Sequence, residues 1–233
     1  MPQVGETRGM TTVLAVVAHP DDEVLGCGGT LARHAAEGAD VYILILAEGA
    51  TSRDVDRNAQ KRAKELDVLR TAAKSAAKAI GAHPPNLAGL PDNRMDSLCL
   101  LDVIKCVEDT MAKVAPDVIY THHGGDLNID HRMTHEAVLT AARPLPGSCV
   151  KAIYAFETLS STEWSGKDFR PTRFVDISEH MAAKNAALAC YTSEMRPFPH
   201  PRSLEAVEAL ARLRGASSGV TAAEAFEVVR ERI

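Results

Sequence analysis

The chain has 233 residues, of which 45% are apolar and 24% are charged, and its formal net charge is −5. A chain of this length can bury one sizeable core, and we expect a single domain over residues 1–233. The acidic balance argues against nucleic acid or an anionic membrane surface as a partner. Five cysteines form no Cys-x-x-Cys pair and no secretory core precedes Val13, so we expect a cytoplasmic protein without disulfide bonds.

The first two apolar runs predict a βαβ unit. Val13–Ala18 and Val41–Leu46 are rich in β-branched and other apolar residues, which is typical of strands buried on both faces. Between them, Gly28–Gly38 has the composition of a helix that ends at its final glycine. A strand, a helix and a second strand in this order predict a right-handed crossover in a parallel sheet.

Helices and strands alternate along the rest of the chain. The predicted helices are Arg57–Ile80, Leu100–Val114 and His131–Ala142, and the predicted strands are Val118–Thr121, Val150–Phe156 and Thr172–Ile177. Ser203–Arg214 predicts a helix that ends at Gly215, and the capping box Thr221–Glu224 predicts a final helix. The sequence therefore predicts a three-layer α/β sandwich with a mostly parallel sheet. Its core covers about residues 12–180, and a C-terminal helical appendage covers about residues 180–233.

Acidic residues and histidines stand where the predicted strands end. The run Ala18–Glu23 (Ala-His-Pro-Asp-Asp-Glu) follows the first strand, His122–His131 follows a later one, and Glu157 follows another. Ligands of open parallel sheets bind beyond the carboxyl ends of the strands. Imidazole nitrogens and carboxylate oxygens are ligands that suit Zn²⁺. The sequence therefore predicts a metal site at this edge of the sheet.

Each of these residues, taken alone, has a plainer interpretation. Asp22 could cap the helix that begins near it, because aspartate is a favoured N-cap residue. Histidines in loops are more often solvated than bound to a metal. The combination of His-Pro-Asp-Asp-Glu with a distant Asp130-His131 pair favours a metal site over these separate roles.

The run Ala18–Glu23 resembles the signature of the LmbE-like, or PIG-L, family of N-acetylglucosaminyl deacetylases. Asp130-His131 stands where the second motif of that family ends, and the resemblance extends from Val13 to about Phe156. It implies a Rossmann-like zinc hydrolase that acts on an acetamido sugar or on a conjugate of one.

The resemblance also implies roles for single residues. His19, Asp22 and His131 would bind zinc, and Asp21 would be the general base. Asp130 would orient a histidine, which agrees with the common pairing of a metal-bound histidine with a carboxylate. The same ligand types accept Fe²⁺ as well as Zn²⁺, so the sequence is compatible with either metal in the cell.

The second motif departs from the family pattern at one position. The family commonly has His-Pro-Asp-His, whereas residues 128–131 of this chain are Asn-Ile-Asp-His. In the family the first histidine polarises the substrate carbonyl; Asn128 can donate a hydrogen bond but cannot become charged. The oxyanion could be stabilised by Asn128, by the metal alone, or by a nearby histidine (His122, His123 or His135). His135 is also a rival third metal ligand, because it lies one helical turn after His131.

Three further residues are candidates for substrate binding. Asp92 matches an acid that binds a sugar hydroxyl in the family, although its Pro-Asp-Asn context is also an ordinary turn. Arg53 follows the second strand and could contact an anionic substituent, and Glu157 could contact the sugar. The proline-rich segment Glu194–Arg202 predicts a loop that closes over the site or fixes the C-terminal helices. Its arginines could bind an acidic group such as a nucleotide phosphate.

Two other classes of protein are compatible with these features. A Rossmann-type nucleotide binder is disfavoured, because the glycines after the first strand lack the Gly-x-Gly-x-x-Gly spacing and acidic residues occupy the phosphate turn. A catalytically silent metal- or sugar-binding protein is the alternative, with Asn128 marking lost activity. The expected partner is a small acetamido-sugar substrate, nucleotide-linked or not. The sequence is also compatible with a homo-oligomer.

Overall fold

The computed structural model describes residues 10–232, through which a seven-stranded sheet runs. Its strands are β1 (Thr12–Val17), β2 (Asp40–Ala47), β3 (Asn86–Leu90), β4 (Val118–His122), β5 (Ala152–Phe156), β6 (Arg173–Asp176) and β7 (Ala223–Glu231). Their order is β3-β2-β1-β4-β5-β7-β6. The first five strands in this order are parallel, and β7 runs antiparallel to both of its neighbours.

Helices cover both faces of the sheet. They are α1 (Asp22–Ala36), α2 (Ala63–Ala79), α3 (Leu100–Val114), α4 (Ile129–Ala141), α5 (Met181–Leu188) and α6 (Leu204–Ser218). Alternate residues of a strand point to opposite faces, so Val13 and Ala15 pack with α1, α2 and α5, while Leu14 and Val16 pack with α3 and α4. The predicted three-layer sandwich is confirmed. Within residues 10–232, no helix combines the length and apolarity that crossing a membrane requires.

Two details of the C-terminal part differ from the predictions. The helix predicted to begin at the capping box is wrong, because Ala223–Glu231 forms β7 and pairs with both β5 and β6. Local capping signals cannot register such pairing with distant strands. α6 also continues past Gly215 to Ser218. A Cβ on Gly215 would lie 2.7 Å from the carbonyl oxygen of Val220, so this glycine allows close packing and does not end the helix.

The break in α1 bears directly on the position of the candidate site. Cys27 has non-helical backbone angles (φ −145°, ψ 17°) and divides α1 into two helical segments. The buried Glu224 of β7 accepts hydrogen bonds from the backbone N–H groups of Gly29 and Thr30, at the start of the second segment. Lys184 of α5 donates to the carbonyl oxygen of Leu25 in the first segment. The C-terminal elements therefore hold the short helical segment that follows β1.

Candidate metal centre

The three predicted metal ligands lie together at the carboxyl ends of β1 and β4. His19 precedes α1, Asp22 is the first residue of α1, and His131 lies in the first turn of α4. His19 Nδ1 is 3.2 Å from Asp22 Oδ2, and His131 Nε2 is 3.2 Å from the same oxygen. The two nitrogens are 3.3 Å apart. Ligands bonded to a tetrahedral metal at about 2.0 Å lie about 3.3 Å from one another, so these three atoms fit an ion the size of zinc.

A carboxylate lies behind each of the two imidazole rings. His131 Nδ1 is 3.1 Å from Asp126 Oδ1. His19 Nε2 is 3.2 Å from Asp130 Oδ2 and 3.5 Å from Asp92 Oδ1. Each ring thus directs one nitrogen to the ligand triangle and the other to a carboxylate, as metal-binding histidines commonly do. Asp130 therefore lies where it can orient His19, and Asp126, which the sequence did not single out, has the same place beside His131.

The electrostatics of the triangle favour a positive charge. Burial lowers the pKa of His19, but hydrogen bonds to Asp130 and Asp22 outweigh burial and raise this pKa well above its usual value. Burial also lowers the pKa of His131, and the negative charge of Asp22 reverses that effect. Asp22 Oδ1 is buried and has no hydrogen-bond partner among residues 10–232. A metal cation bound at Asp22 Oδ2 and the two nitrogens would compensate the charge of this buried carboxylate.

Asp21 lies beside the triangle in a constrained conformation. Its φ of +115° is rare for a residue other than glycine, and such strain is frequent at functional sites. Its Oδ2 accepts a hydrogen bond of 2.8 Å from Arg202 Nη1, while its buried Oδ1 has no partner in the described part of the chain. Burial raises the pKa of Asp21 and Arg202 opposes this effect, which leaves a pKa of about 7. This carboxylate can therefore exchange a proton near neutral pH.

Asn128 is the N-cap residue of α4. Its Oδ1 accepts hydrogen bonds from the backbone N–H groups of Asp130 (2.8 Å) and His131 (3.4 Å). These two bonds fix the orientation of the amide, because only its oxygen can accept them. Asn128 Nδ2 then donates to Asn93 Oδ1 at 2.7 Å. An NH₂ group carries a second hydrogen, so the amide has another donor to offer a substrate.

The nearby histidines have other partners. His122 Nε2 accepts the backbone N–H of Ala18 and also lies 3.4 Å from Asp22 Oδ2, and burial lowers the pKa of His122 to about 4. His123 Nδ1 lies 2.7 Å from Glu227 Oε2. His135 Nδ1 donates to the carbonyl oxygen of His122 at 2.8 Å. The triangle thus contains His131 and not the rival His135.

Of the three predicted substrate-binding residues, one lies beside the ligands. Asp92 is buried next to His19 and accepts the backbone N–H of Ser52. The other two are held in ion pairs with residues outside the triangle, Arg53 with Glu65 and Glu194, and Glu157 with Arg214.

Arg202 was predicted only as a phosphate-binding candidate. Its contact with Asp21 spans 181 residues, which no local pattern can reveal.

The comparisons with protein families identify the group to which the chain belongs. The sequence model of the PIG-L family, described as GlcNAc-PI de-N-acetylase, matches residues 14–142, more than half of the chain. The Escherichia coli protein described as uncharacterized deacetylase YaiS is 32% identical over 189 residues, which cover 78% of this chain and 90% of that protein. The chain therefore belongs to the PIG-L family of de-N-acetylases, as the resemblance of its motifs predicts.

Further relatives differ in the chemistry that their names describe. The 1D-myo-inositol 2-acetamido-2-deoxy-alpha-D-glucopyranoside deacetylase 1 of Saccharopolyspora erythraea is 26% identical, over 79% of this chain and 78% of that protein. The structure of N,N'-diacetylchitobiose deacetylase from Pyrococcus horikoshii has a TM-score of 0.75 and 20% identity, covering 95% of this chain and 85% of that one. The 4-carboxy-2-hydroxymuconate hydratase of Pseudomonas putida also has a TM-score of 0.75, with 25% identity over 96% and 98% of the two chains.

Proposed function

We propose that this protein is a zinc-dependent hydrolase that removes the acetyl group from an N-acetylated amino sugar or sugar conjugate. The observation that carries the proposal is the buried triangle of His19, Asp22 and His131 with Asp21 beside it. Membership of a family of de-N-acetylases and the acetamido sugar in the name of one relative support the reaction and the substrate class. The products would be acetate and a free amine.

Proton transfer falls to Asp21 in this mechanism. Zinc held by His19, Asp22 and His131 would polarise the acetyl carbonyl and lower the pKa of a bound water towards neutrality. Asp21 takes a proton from the attacking water through Oδ1, the oxygen that Arg202 leaves free. Asp21 then gives this proton to the departing nitrogen, so the C–N bond breaks to a neutral amine and to acetic acid, which retains the oxygen of the water. The acid then loses its remaining proton to solvent and is released as acetate.

Asn128 and Asp92 take the remaining roles. The carbonyl oxygen gains negative charge when water attacks, and a fixed hydrogen-bond donor stabilises that charge in the transition state. Asn128 supplies such a donor through Nδ2, because its Oδ1 is held by the first turn of α4. Asp92 lies close to His19, and the resemblance to the family gives its carboxylate the role of accepting a hydrogen bond from a sugar hydroxyl.

A second candidate function follows from the residue at position 128. Asn128 stands where the family commonly has histidine, so a silent metal- or sugar-binding protein would keep the triangle and lack turnover. The hydratase with the same fold shows that this architecture also carries other reactions with water. Release of acetate distinguishes the proposed function from both.

The decisive experiment measures acetate release and zinc content on the same sample. The panel contains N-acetylated sugars with and without an inositol, phosphate or nucleotide group, and Asp21→Asn is the matched variant. We expect about one zinc per chain in both proteins and a kcat for Asp21→Asn lower by roughly a thousandfold or more. Zinc without acetate from any panel member would favour the silent binder. Full activity of Asp21→Asn would show that another residue is the base.

A further inference from the structure

The segment between α5 and α6, residues 189–203, contacts the Ala18–Glu23 run at two points. Arg202 donates to the side chain of Asp21. The hydroxyl of Tyr191 donates to Glu23 Oε1, and Glu23 Oε2 accepts the backbone N–H of Asp21. The α5–α6 segment therefore holds the side chain of Asp21 directly and its backbone through Glu23. It lies outside residues 14–142, the region that the family model matches.

The Arg202 side chain is itself fixed in place. Its Nε donates to Ser160 Oγ at 2.8 Å, and its side chain is 23% exposed. The backbone carbonyl of Arg202 accepts the backbone N–H of Arg196, so this hydrogen bond joins the two ends of the loop formed by residues 196–202. Ser203, the next residue, is buried and caps α6. A guanidinium with its position set from several sides can in turn set the position of a carboxylate.

These contacts also argue against a phosphate site at Arg202. Its guanidinium donates through Nη1 to Asp21 and through Nε to Ser160, and Glu194 Oε2 lies 4.0 Å from Nη1, so a phosphate here would meet the negative charges of two carboxylates. Within residues 10–232, the guanidinium of the nearby Arg196 donates only to carbonyl oxygens of its own segment, those of Ser193 and Met195. The two arginines therefore have different surroundings although they are close in sequence.

We infer that Arg202 is the positioning residue of the general base. It binds Asp21 Oδ2, which keeps Oδ1 free and directed for proton transfer. Without this bond the carboxylate could rotate about its Cβ–Cγ bond and bind other donors. A catalytic group displaced by about 1 Å can lose roughly a hundredfold in rate. This inference rests on the proposed function of the site, and it assigns a catalytic requirement to a residue outside the two motifs.

The test compares Arg202→Met, Arg202→Lys and Arg202→Ala in the zinc-loaded protein, with Arg196→Ala as the matched control. For a neutral acetamido sugar, we expect Arg202→Met to lower kcat by about a hundredfold while KM and zinc content change by less than about twofold. Arg202→Lys should keep a larger part of kcat, because lysine retains the charge without the fork geometry. Added guanidinium should raise the kcat of Arg202→Ala about tenfold and leave Arg196→Ala unchanged.

A crystal structure of zinc-loaded Arg202→Met provides a readout that needs no turnover. We expect the Asp21 carboxylate to leave its wild-type position while His19, Asp22 and His131 stay in place. An unmoved Asp21 with unchanged kcat would overturn the inference, and so would a raised KM for anionic sugars alone, which would make Arg202 a substrate ligand. Loss of zinc together with no guanidinium rescue would show a merely structural role. Absence of acetate release by the wild type would instead refute the proposed function, and the position of Asp21 would still decide the inference.

Discussion

At position 128 the chain has an asparagine whose amide group has two separate sets of partners. Its oxygen caps α4, and its nitrogen donates to Asn93. Asn128→Ser retains a good N-cap but cannot reach a substrate carbonyl. Asn128→Ala loses both functions. We expect kcat to fall by about 10²–10³ in both variants, the usual effect of removing one oxyanion donor.

Stability separates the two variants at this position. Because alanine caps a helix poorly, Asn128→Ala should also lower the free energy of unfolding by about 1 kcal/mol, and Asn128→Ser by much less. Urea unfolding and acetate release on the same preparations measure the two effects. If Asn128→Ser keeps wild-type kcat, the oxyanion is stabilised by the metal or by another donor.

The candidate site could be predicted from the sequence only where its residues stand in short motifs. His19, Asp21 and Asp22 belong to one run, and Asp130-His131 to another, so their types and spacing were sufficient. Asp126 was not predicted, because a Gly-Asp pair in a loop is typical of an ordinary turn. The contact of Arg202 with Asp21 depends on how α5 and α6 pack, and no local pattern contains that information.

At the scale of elements, α3 could be predicted from its local sequence, whereas β7 depends on distant strands. α3 has the bounds that its helical spacing predicts, Leu100–Val114. Its apolar residues recur at helical spacing, so the local sequence alone is sufficient to predict this helix. β7 exists because β5 and β6 offer it partners on both sides. β3 (Asn86–Leu90) was not predicted either, since Asn-Leu-Ala-Gly-Leu contains no clear alternation and no β-branched residue.

The ion pair between β7 and α5 is an element-scale feature that can be tested. Glu224 Oε1 lies 2.5 Å from Lys184 Nζ, and both side chains are 5% exposed or less. Removing one partner of a buried ion pair leaves an uncompensated charge and costs about 3–5 kcal/mol. We expect Glu224→Met to lose about this much stability in urea unfolding. The double variant with Lys184→Met should lose less than the sum of the two single losses, with a coupling above about 1 kcal/mol. Additive losses would show that the pair is not coupled.

At the scale of the whole molecule, Asp117 connects three strands at the edge of the sheet opposite the site. Its Oδ2 accepts the backbone N–H of Thr12, the first residue of β1, and its Oδ1 pairs with Lys151, which precedes β5. Burial raises the pKa of Asp117, but Lys151 and the Thr12 N–H outweigh burial and hold this pKa below its usual value. The folded state therefore binds this proton less readily than the unfolded state. The resulting stability is present at neutral pH and is lost as the pH falls through the folded-state pKa, below about pH 4.

Asp117→Asn tests this pH dependence. The variant should be less stable than the wild type at pH 7, and the difference should shrink below about pH 4, where the wild-type carboxylate also becomes neutral. Urea unfolding at a series of pH values measures the difference, with the exposed Asp56→Asn as the control. A stability difference that stays constant with pH would assign the role of Asp117 to packing and not to its charge.

The position of β7 also determines how the molecule unfolds. β7 lies between β5 and β6, and Glu224 in it holds α1, so the C-terminal residues are part of the same sheet as the metal centre. We therefore expect residues 10–232 to unfold in one transition. The far-UV circular dichroism and the near-UV signal of the buried Tyr120 and Tyr191 should have the same unfolding midpoint.

A chain that ends at His180 would leave β6 without its partner and the edge of β5 open, so it should show no cooperative transition. If the shortened chain unfolds cooperatively and still binds zinc, residues 181–233 form a separable appendage.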